Sequence, residues 1–145
     1  MFTHILIPTD GSRLAEEAVD KGIALARSCG ARVTFLTVVE PFHILGADAV
    51  QLESTRNDCE KHATAIARET LARAEARARA VGVDAAVIDG EDDQPFQVIV
   101  HAAKTLGCDL IAMASHGRRG MAALMIGSQT MKVLTHSRVP VLVYR

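Results

Sequence analysis

The sequence predicts an α/β fold, a doubly wound five-stranded parallel sheet with helices on both faces. Short apolar runs, each ended by turn residues, alternate along the chain with longer segments whose apolar residues recur every three or four positions. The short runs are almost continuously apolar, which is typical of strands that helices cover on both sides of a parallel sheet. A chain of 145 residues is large enough to bury such a core, and we expect one domain over residues 1–145.

The first half of the chain is predicted to contain two strands and two helices. The first three elements are a strand in FTHILIPTD (2–10), a helix in SRLAEEAVDKGIALARSCG (12–30) and a strand in ARVTFLTVVE (31–40). Residues 40–52 fit no regular period, which predicts a loop or a short turn of helix. From about Glu53 to Ala80, small and apolar residues recur at helical spacing. The pair Glu69 and Arg73, four residues apart, also favours a helix, so this stretch predicts a long amphipathic helix.

The second half of the chain continues the alternation with three strands and two helices. Strands are predicted in VDAAVID (83–89), CDLIAMAS (108–115) and VPVLVY (139–144). One helix is predicted to begin near Pro95, and another covers SQTMKVLTHS (128–137). Five strands therefore alternate with four helices, which is the element pattern of a doubly wound sheet.

Composition narrows the classes of function. The formal net charge of −1 gives no field that would attract nucleic acid or an anionic membrane. No stretch is long and apolar enough to span a bilayer, and the chain does not open on the basic and apolar regions of a signal peptide. The three cysteines, Cys29, Cys59 and Cys108, are odd in number and far apart. They favour a reducing cytoplasm over a disulfide framework or a zinc site.

One connection, ASHGRRGMAALMIGSQ (114–129), is longer than the roughly two to six residues that such a connection needs. It leaves the fourth strand, and doubly wound sheets bind ligands at the carboxyl ends of strands where the winding reverses. Gly117 and Gly120 let the backbone approach a ligand closely or adopt positive φ. Gly127 and Ser128 open a helix whose unpaired N–H groups favour an anion. The pattern fits a phosphate-binding connection, or equally glycine turns with Ser128 as a helix cap.

Four segments resemble the universal stress protein family, namely ILIPTDGS, RVTFLTVVEP, CDLIAMASHGRRG and LMIGSQTMKVLTHSRVPVLVYR. They follow the family's order over nearly the whole chain, and only residues 40–60 match poorly. The resemblance implies a Rossmann-like sheet of strand order 3-2-1-4-5. The family's ATP-binding members carry a Gly, two residues, a second Gly, nine residues, and then Gly followed by Ser or Thr. Here the second and third glycines are Gly117 and Gly127, whereas the first position holds Ala114.

Ala114 adds one methyl group where the resemblance places the ribose or the phosphates. If φ is negative there, the methyl costs little, whereas a positive φ or a ligand against Cα weakens binding by about 1–3 kcal/mol. One methyl does not remove the anion site at the following helix, so we expect an ATP-binding regulatory module of the stress response. Family members that lack the motif do not bind ATP, and a nucleotide-free interaction module is the alternative.

The resemblance also implies which residues hold ATP. Pro8, Thr9 and Asp10 contact the nucleoside, Val38 offers backbone groups to the adenine, and Met113 packs near the base. The ribose and triphosphate contacts are Ala114, Ser115, His116, Gly117, Arg118, Gly127, Ser128, Gln129 and Thr130, with Mg or Mn between phosphate oxygens. Alternatively, Asp10 is a turn or helix-capping residue and Met113 is a plain core methionine.

A dedicated catalytic site is not expected. ATP hydrolysis needs a group that orients water and a positive charge beside the γ-phosphate, and His116 and Arg118 are the only nearby candidates for these roles. Neither has an orienting partner visible in the sequence, and the motifs GxxxxGK[ST], GxSxG and GxGxxG are absent. No catalytic residue is assigned, and slow ATP hydrolysis is the most that the sequence supports.

The last predicted strand indicates a partner. The segment VPVLVYR is apolar apart from its last residue, and the resemblance places it at a sheet edge and implies a dimer. An exposed apolar edge is an aggregation hazard, and pairing with its own copy across a two-fold axis covers both edges at once. We expect a homodimer through Val139, Val141, Leu142 and Val143, and an unidentified protein partner is compatible with this arrangement.

Overall fold

A computed structural model of the chain describes residues 1–43, 49–117 and 125–145. Its elements are β1 (His4–Pro8), α1 (Arg13–Cys29), β2 (Arg32–Val39), α2 (Ala49–Ala80), β3 (Ala85–Glu91), α3 (Pro95–Thr105), β4 (Leu110–Ala114), α4 (Ser128–His136) and β5 (Val141–Tyr144). Each strand and helix expected from the sequence is present, in the expected alternation.

The strands form one parallel sheet in the order β3-β2-β1-β4-β5. β1 is central, since Ile5 pairs with Val33 of β2 on one side and with Leu110 of β4 on the other. The predicted fold class and strand order 3-2-1-4-5 are therefore confirmed. The chain winds outward from β1 to β3 in one direction and from β4 to β5 in the other, so the winding reverses between β1 and β4.

The core lies on both faces of the sheet, as continuous apolar strands require. Ile5 and Ile7 of β1 belong to a buried cluster with α1 and α2, whereas Leu6 belongs to a cluster with α3 and α4. Burial on both faces holds for the inner strands but not for the edge strand β3, where Ala86 and Val87 are exposed. An edge strand has one neighbour, and the helices cover it incompletely.

Helix α1 lies unusually close to the central strand because of Gly22. A β-carbon built on Gly22 would lie only 2.6 Å from Cδ1 of Ile7, a distance that packed side chains do not tolerate without shifting. The helix is also fixed at its start, where Ser12 is the N-cap and its Oγ accepts a hydrogen bond from Ala15 N at 3.3 Å. The beginning of α1 is thereby held against the carboxyl end of β1.

Several predicted boundaries are wrong; β3, for example, covers Ala85–Glu91 and not residues 83–89. The long helix expected from about Glu53 begins at Ala49, so residues 49–52 are its first turn and not a loop. Residues 53–59 of this helix are all exposed, and from residue 53 onward Ala67 is the first that is buried, so no buried face marks this part of the helix. The last strand begins at Val141 and not at Val139, because Pro140 has no N–H for the ladder. Residues 44–48 and 118–124, which include the predicted site residue Arg118, lie outside the described residues.

A buried histidine lies at the amino-terminal end of β1. The His4 side chain is only 5% exposed, and its Nε2 lies 2.8 Å from Thr34 Oγ1. Burial lowers the pKa of His4, and the nearby charge of Arg32 lowers it further. The folded protein therefore favours the neutral imidazole, and protonation opposes folding.

We expect His4 to make stability depend on pH. The unfolded histidine has a pKa of about 6.5, and the folded value is lower, so the unfolded chain takes up the proton first. Stability is full above about pH 6.5 and falls as the pH drops toward the folded pKa. In urea unfolding, the free energy of unfolding of the natural chain should fall between about pH 8 and about pH 5. The fall should be smaller for His4→Gln. Equal losses in both proteins would contradict the prediction.

Candidate functional site

The turn after β1 is held by backbone and side-chain hydrogen bonds. Thr9 N donates to Leu36 O at 2.8 Å, and Thr37 Oγ1 donates to Thr9 O at 2.9 Å. Asp10 Oδ1 then accepts from Ser12 N at 2.9 Å. Asp10 is thus a turn residue, as one of the two sequence interpretations held, while Ser12 caps the helix. This turn presents its carboxylate to the neighbouring β4 connection.

Gly117 is where the two connections meet. A β-carbon built on Gly117 would collide with Oδ2 of Asp10, and Gly117 is not among the glycines with positive φ. The glycine is therefore required for space and not for a left-handed backbone. The glycine pattern is compatible with both a close approach and a positive φ, and the structure shows a close approach at Gly117.

The residue at the first motif position, Ala114, is part of the packed core. It pairs with Tyr144 in the β4–β5 ladder and is 7% exposed, in a cluster with Ala15 and Ala18 of α1. Strand residues have negative φ, so the added methyl group causes no backbone strain at Ala114. Its neighbour Met113 is 7% exposed and belongs to the core cluster on the opposite face.

Two hydrogen bonds attach the beginning of α4 to the end of β4. Gly127 N donates to Ser115 O at 2.7 Å, and Thr130 Oγ1 donates to Ala114 O at 3.0 Å. The approach is tight, since a β-carbon on Gly127 would lie 3.1 Å from the Cβ of His116. The first turn of α4 therefore lies over the carboxyl end of β4, next to the turn after β1.

The amino terminus of α4 has the features of an anion site. Its N-cap is Gly127, with no side-chain cap, so the interpretation of Ser128 as the cap is wrong. Ser128 is instead the first helical residue, it is exposed, and its hydroxyl has no hydrogen-bond partner within the described parts of the chain. The first helical N–H groups have no intrahelical acceptor, and the helix dipole adds partial positive charge there.

The end of β2 offers a second set of open backbone groups. Leu36 O bonds Thr9 N, whereas Val39 O bonds Asp92 N on the β3 side. Because backbone groups alternate in direction along a strand, the N–H and C=O of Val38 face the β1 side. β1 ends at Pro8, so these two groups lie beyond the end of that strand.

Several predicted contact residues are already engaged within the protein. Gln129 Oε1 accepts from Phe96 N at 3.0 Å, and the buried Thr130 hydroxyl is used on Ala114. His116 Nδ1 lies 3.1 Å from Ser115 Oγ. Oε1 of Gln129 and the hydroxyl hydrogen of Thr130 are therefore already used, and each residue still has its backbone N–H for a ligand. The role of the Gln129 side chain could not be predicted from the sequence, because no local pattern signals a contact to another helix.

The described residues provide little side-chain chemistry beyond this. They contain no group of three or more His, Cys, Asp or Glu side chains that could hold a metal ion. Burial raises the pKa of the Cys108 thiol to about 11, so this cysteine stays protonated at neutral pH. Within the same parts of the chain, no helix is both long and apolar enough to cross a membrane.

Comparison with known proteins identifies the family. The universal stress protein family matches the chain over residues 1–145. The chain belongs to this family. Universal stress protein YxiE of Bacillus subtilis (strain 168) is 30% identical over 153 aligned residues, which cover all of both chains.

Solved structures of universal stress proteins share the fold. The structure of MJ0577, a protein of Methanocaldococcus jannaschii, is 29% identical with a TM-score of 0.83, covering 99% of this chain and 95% of that one. A universal stress protein from Archaeoglobus fulgidus in complex with dAMP is 19% identical with a TM-score of 0.71, covering 99% and 98%. The predicted family membership is confirmed.

We expect Gly117→Ala to act through Asp10. The added methyl must displace the carboxylate that holds the turn after β1, and urea unfolding should show a loss of about 1–3 kcal/mol. In an Asp10→Ala background the same substitution should cost much less, because the colliding group is gone. An equal cost in both backgrounds would show that Asp10 is not the group that requires this glycine.

Proposed function

We propose that the chain is an ATP-binding regulatory module of the stress response. The observation that carries the proposal is the amino terminus of α4, which has no side-chain cap and is fixed to β4 by Gly127 and Thr130. Among the described residues, none forms a hydrogen bond with the Ser128 hydroxyl. A helix amino terminus held rigidly at a switch point binds phosphate through its N–H groups and dipole. The triphosphate would lie there, and the nucleoside toward β1 and β2.

The alanine at position 114 is compatible with this proposal. Its methyl packs with Ala15 and Ala18 of α1, so it fills core space and leaves the α4 terminus open. The Val38 backbone groups beyond the end of β1 suit the donor and acceptor atoms on the edge of adenine. The A. fulgidus relative, which holds dAMP, supports a purine nucleotide as the ligand class.

The metal expected with ATP would be held by phosphate oxygens. Asp10 is the only carboxylate of the turn after β1, and one of its oxygens already accepts from Ser12 N. Mg or Mn would neutralise phosphate charge beside this carboxylate. Of the two side chains that the sequence offers for hydrolysis, His116 lies beside Gly127 and Arg118 is outside the described residues, so we assign no catalytic residue and expect slow hydrolysis at most.

We also propose a cytoplasmic homodimer that pairs through β5. This strand is a sheet edge, and Leu142 is 37% exposed. Pro140 O and Tyr144 O accept from Ile111 N and Ser115 N of the β4 side. By alternation, the backbone groups of Val141 and Val143 face the open edge, where a second copy can bond to them.

Nucleotide content tests the first proposal. Mass spectrometry of the denatured protein should find nearly stoichiometric ATP or ADP, and calorimetry should show Mg-ATP binding to emptied protein. Ser128→Ala removes one charge-assisted hydrogen bond and should weaken binding at least about tenfold. Thr135→Ala, a hydroxyl at the opposite end of α4, is the matched control and should bind normally. A protein that is empty and fails to bind Mg-ATP would favour the nucleotide-free interaction module.

A proline on the open edge tests the dimer. Val143→Pro removes an N–H that faces away from β4, so the internal ladder is kept. We expect a monomer in size-exclusion chromatography with light scattering. Its melting temperature should be close to that of the natural protein diluted until it is monomeric. Val143→Thr keeps the N–H and the branched shape and should remain a dimer. A Val143→Pro dimer would exclude pairing through this edge.

A further inference from the structure

A set of side-chain contacts joins the first turns of α4 and α3. Gln94, the N-cap position of α3, makes no side-chain cap bond, so the free N–H of Phe96 is instead accepted by Gln129 Oε1 at 3.0 Å. Lys132 Nζ donates to Gln94 Oε1 at 2.8 Å and lies 5.5 Å from the centre of the Phe96 ring. The start of α3 is therefore capped by a residue of α4.

The contacts continue to the end of β2. Gln94 N donates to Asp92 Oδ1 at 2.7 Å, and Asp92 N donates to Val39 O at 3.2 Å. The next residue, Asp93, places Oδ1 2.5 Å from His43 Nε2. We call this path the α4–β2 relay, and its members are Gln129, Phe96, Gln94, Asp92, Asp93 and His43.

The two ends of the relay differ in exposure. Gln129 lies within the uncapped first turn of α4, which is partly buried against α3. The side chains of His43 and Asp93 are 67% and 55% exposed, and the adjacent Phe42 is 39% exposed. Phe42, His43 and Asp93 form the readout surface, at which a change in the relay becomes accessible to a partner.

Gln129 has two roles that a ligand would couple. Its backbone N–H belongs to the unpaired set at the start of α4, and its side chain caps α3. Helix ends open locally more often than helix centres, and each opening of the first turn of α4 withdraws the cap from α3. An anion that binds the N–H groups suppresses these openings, so it stabilises both helix starts together.

We propose that occupancy of the α4 amino terminus is transmitted through Gln129 and the α4–β2 relay to the readout surface. The identity of the ligand rests on the proposed function, whereas the coupling is a property of the chain without ligand. Because coupling is reciprocal, breaking the relay also weakens binding at the α4 terminus.

Amide hydrogen exchange of the nucleotide-free protein, followed by NMR, tests the coupling. Gln129→Ala should speed exchange at Phe96 about fivefold, as loss of a helix cap does, and should also speed exchange at Asp92, whose N–H donates to Val39 O. Gln129→Glu keeps the acceptor oxygen and should restore the natural rates. Gln97→Ala alters an exposed glutamine of α3, and it should leave the Asp92 rate unchanged. An unchanged Asp92 rate in Gln129→Ala would overturn the proposal.

The last step of the relay is tested at the His43 side chain. In the natural chain, Gln129→Ala should shift the NMR signals of the His43 imidazole, because it loosens the contact between His43 Nε2 and Asp93 Oδ1. In an Asp93→Asn background, where the carboxylate charge is gone, the same substitution should shift these signals much less. Equal shifts in both backgrounds would reject this step of the relay.

Addition of Mg-ATP separates this proposal from the previous one. In the natural chain, ligand should slow exchange at both Phe96 and Asp92, whereas in ligand-saturated Gln129→Ala it should no longer slow exchange at Asp92. Protection of Asp92 in that variant would overturn the relay while leaving ATP binding intact. If the natural chain binds no Mg-ATP, the proposed function fails, and the nucleotide-free comparison alone decides the coupling.

Discussion

The attachment of α4 to β4 is the constraint on which the candidate site depends. Two hydrogen bonds, from Gly127 N to Ser115 O and from Thr130 Oγ1 to Ala114 O, fix where the helix begins. Without them the helix could start elsewhere along the connection, and its N–H groups would not face the turn after β1. The same attachment places Gln129 against α3. The position of the α4 start therefore determines both the proposed anion site and the first contact of the relay.

The motif glycines act mainly by making room. Gly117 admits the Asp10 carboxylate, and Gly127 admits the backbone and Cβ of His116. Ala114 differs because its position is a core position between β4 and α1, where a methyl adds apolar contact. The three motif positions therefore differ in how much space they leave for a β-carbon. A β-carbon would collide at Gly117 and contact His116 closely at Gly127, whereas the methyl group of Ala114 packs in the core.

Sequence predicted most of the fold, because the buried strands β1, β2 and β4 are continuous apolar runs with turn residues at their ends. The predicted start of α2 was wrong, and the exposed residues 53–59 show no hydrophobic period. The predicted start of the last strand at Val139, which precedes a proline, was also wrong. The site was predicted as a set of segments, because the carboxyl ends of parallel strands meet at one edge. The contact from Gln129 to Phe96 spans 33 residues, and no local pattern encodes it. The hydrogen bond from Thr130 Oγ1 to Ala114 O and the close approach of Asp10 Oδ2 to Gly117 likewise depend on the packing of distant segments.

The two edges of the sheet differ in a way that bears on assembly. The free edge at β3 ends in Asp89, Gly90 and Glu91, of which the two carboxylates are exposed, and charged residues on an edge oppose pairing with another strand. The β5 edge consists of Val, Leu, Val and Tyr and lacks such protection. This difference favours pairing of a copy at β5 over pairing at β3, as the proposed closed two-fold dimer requires.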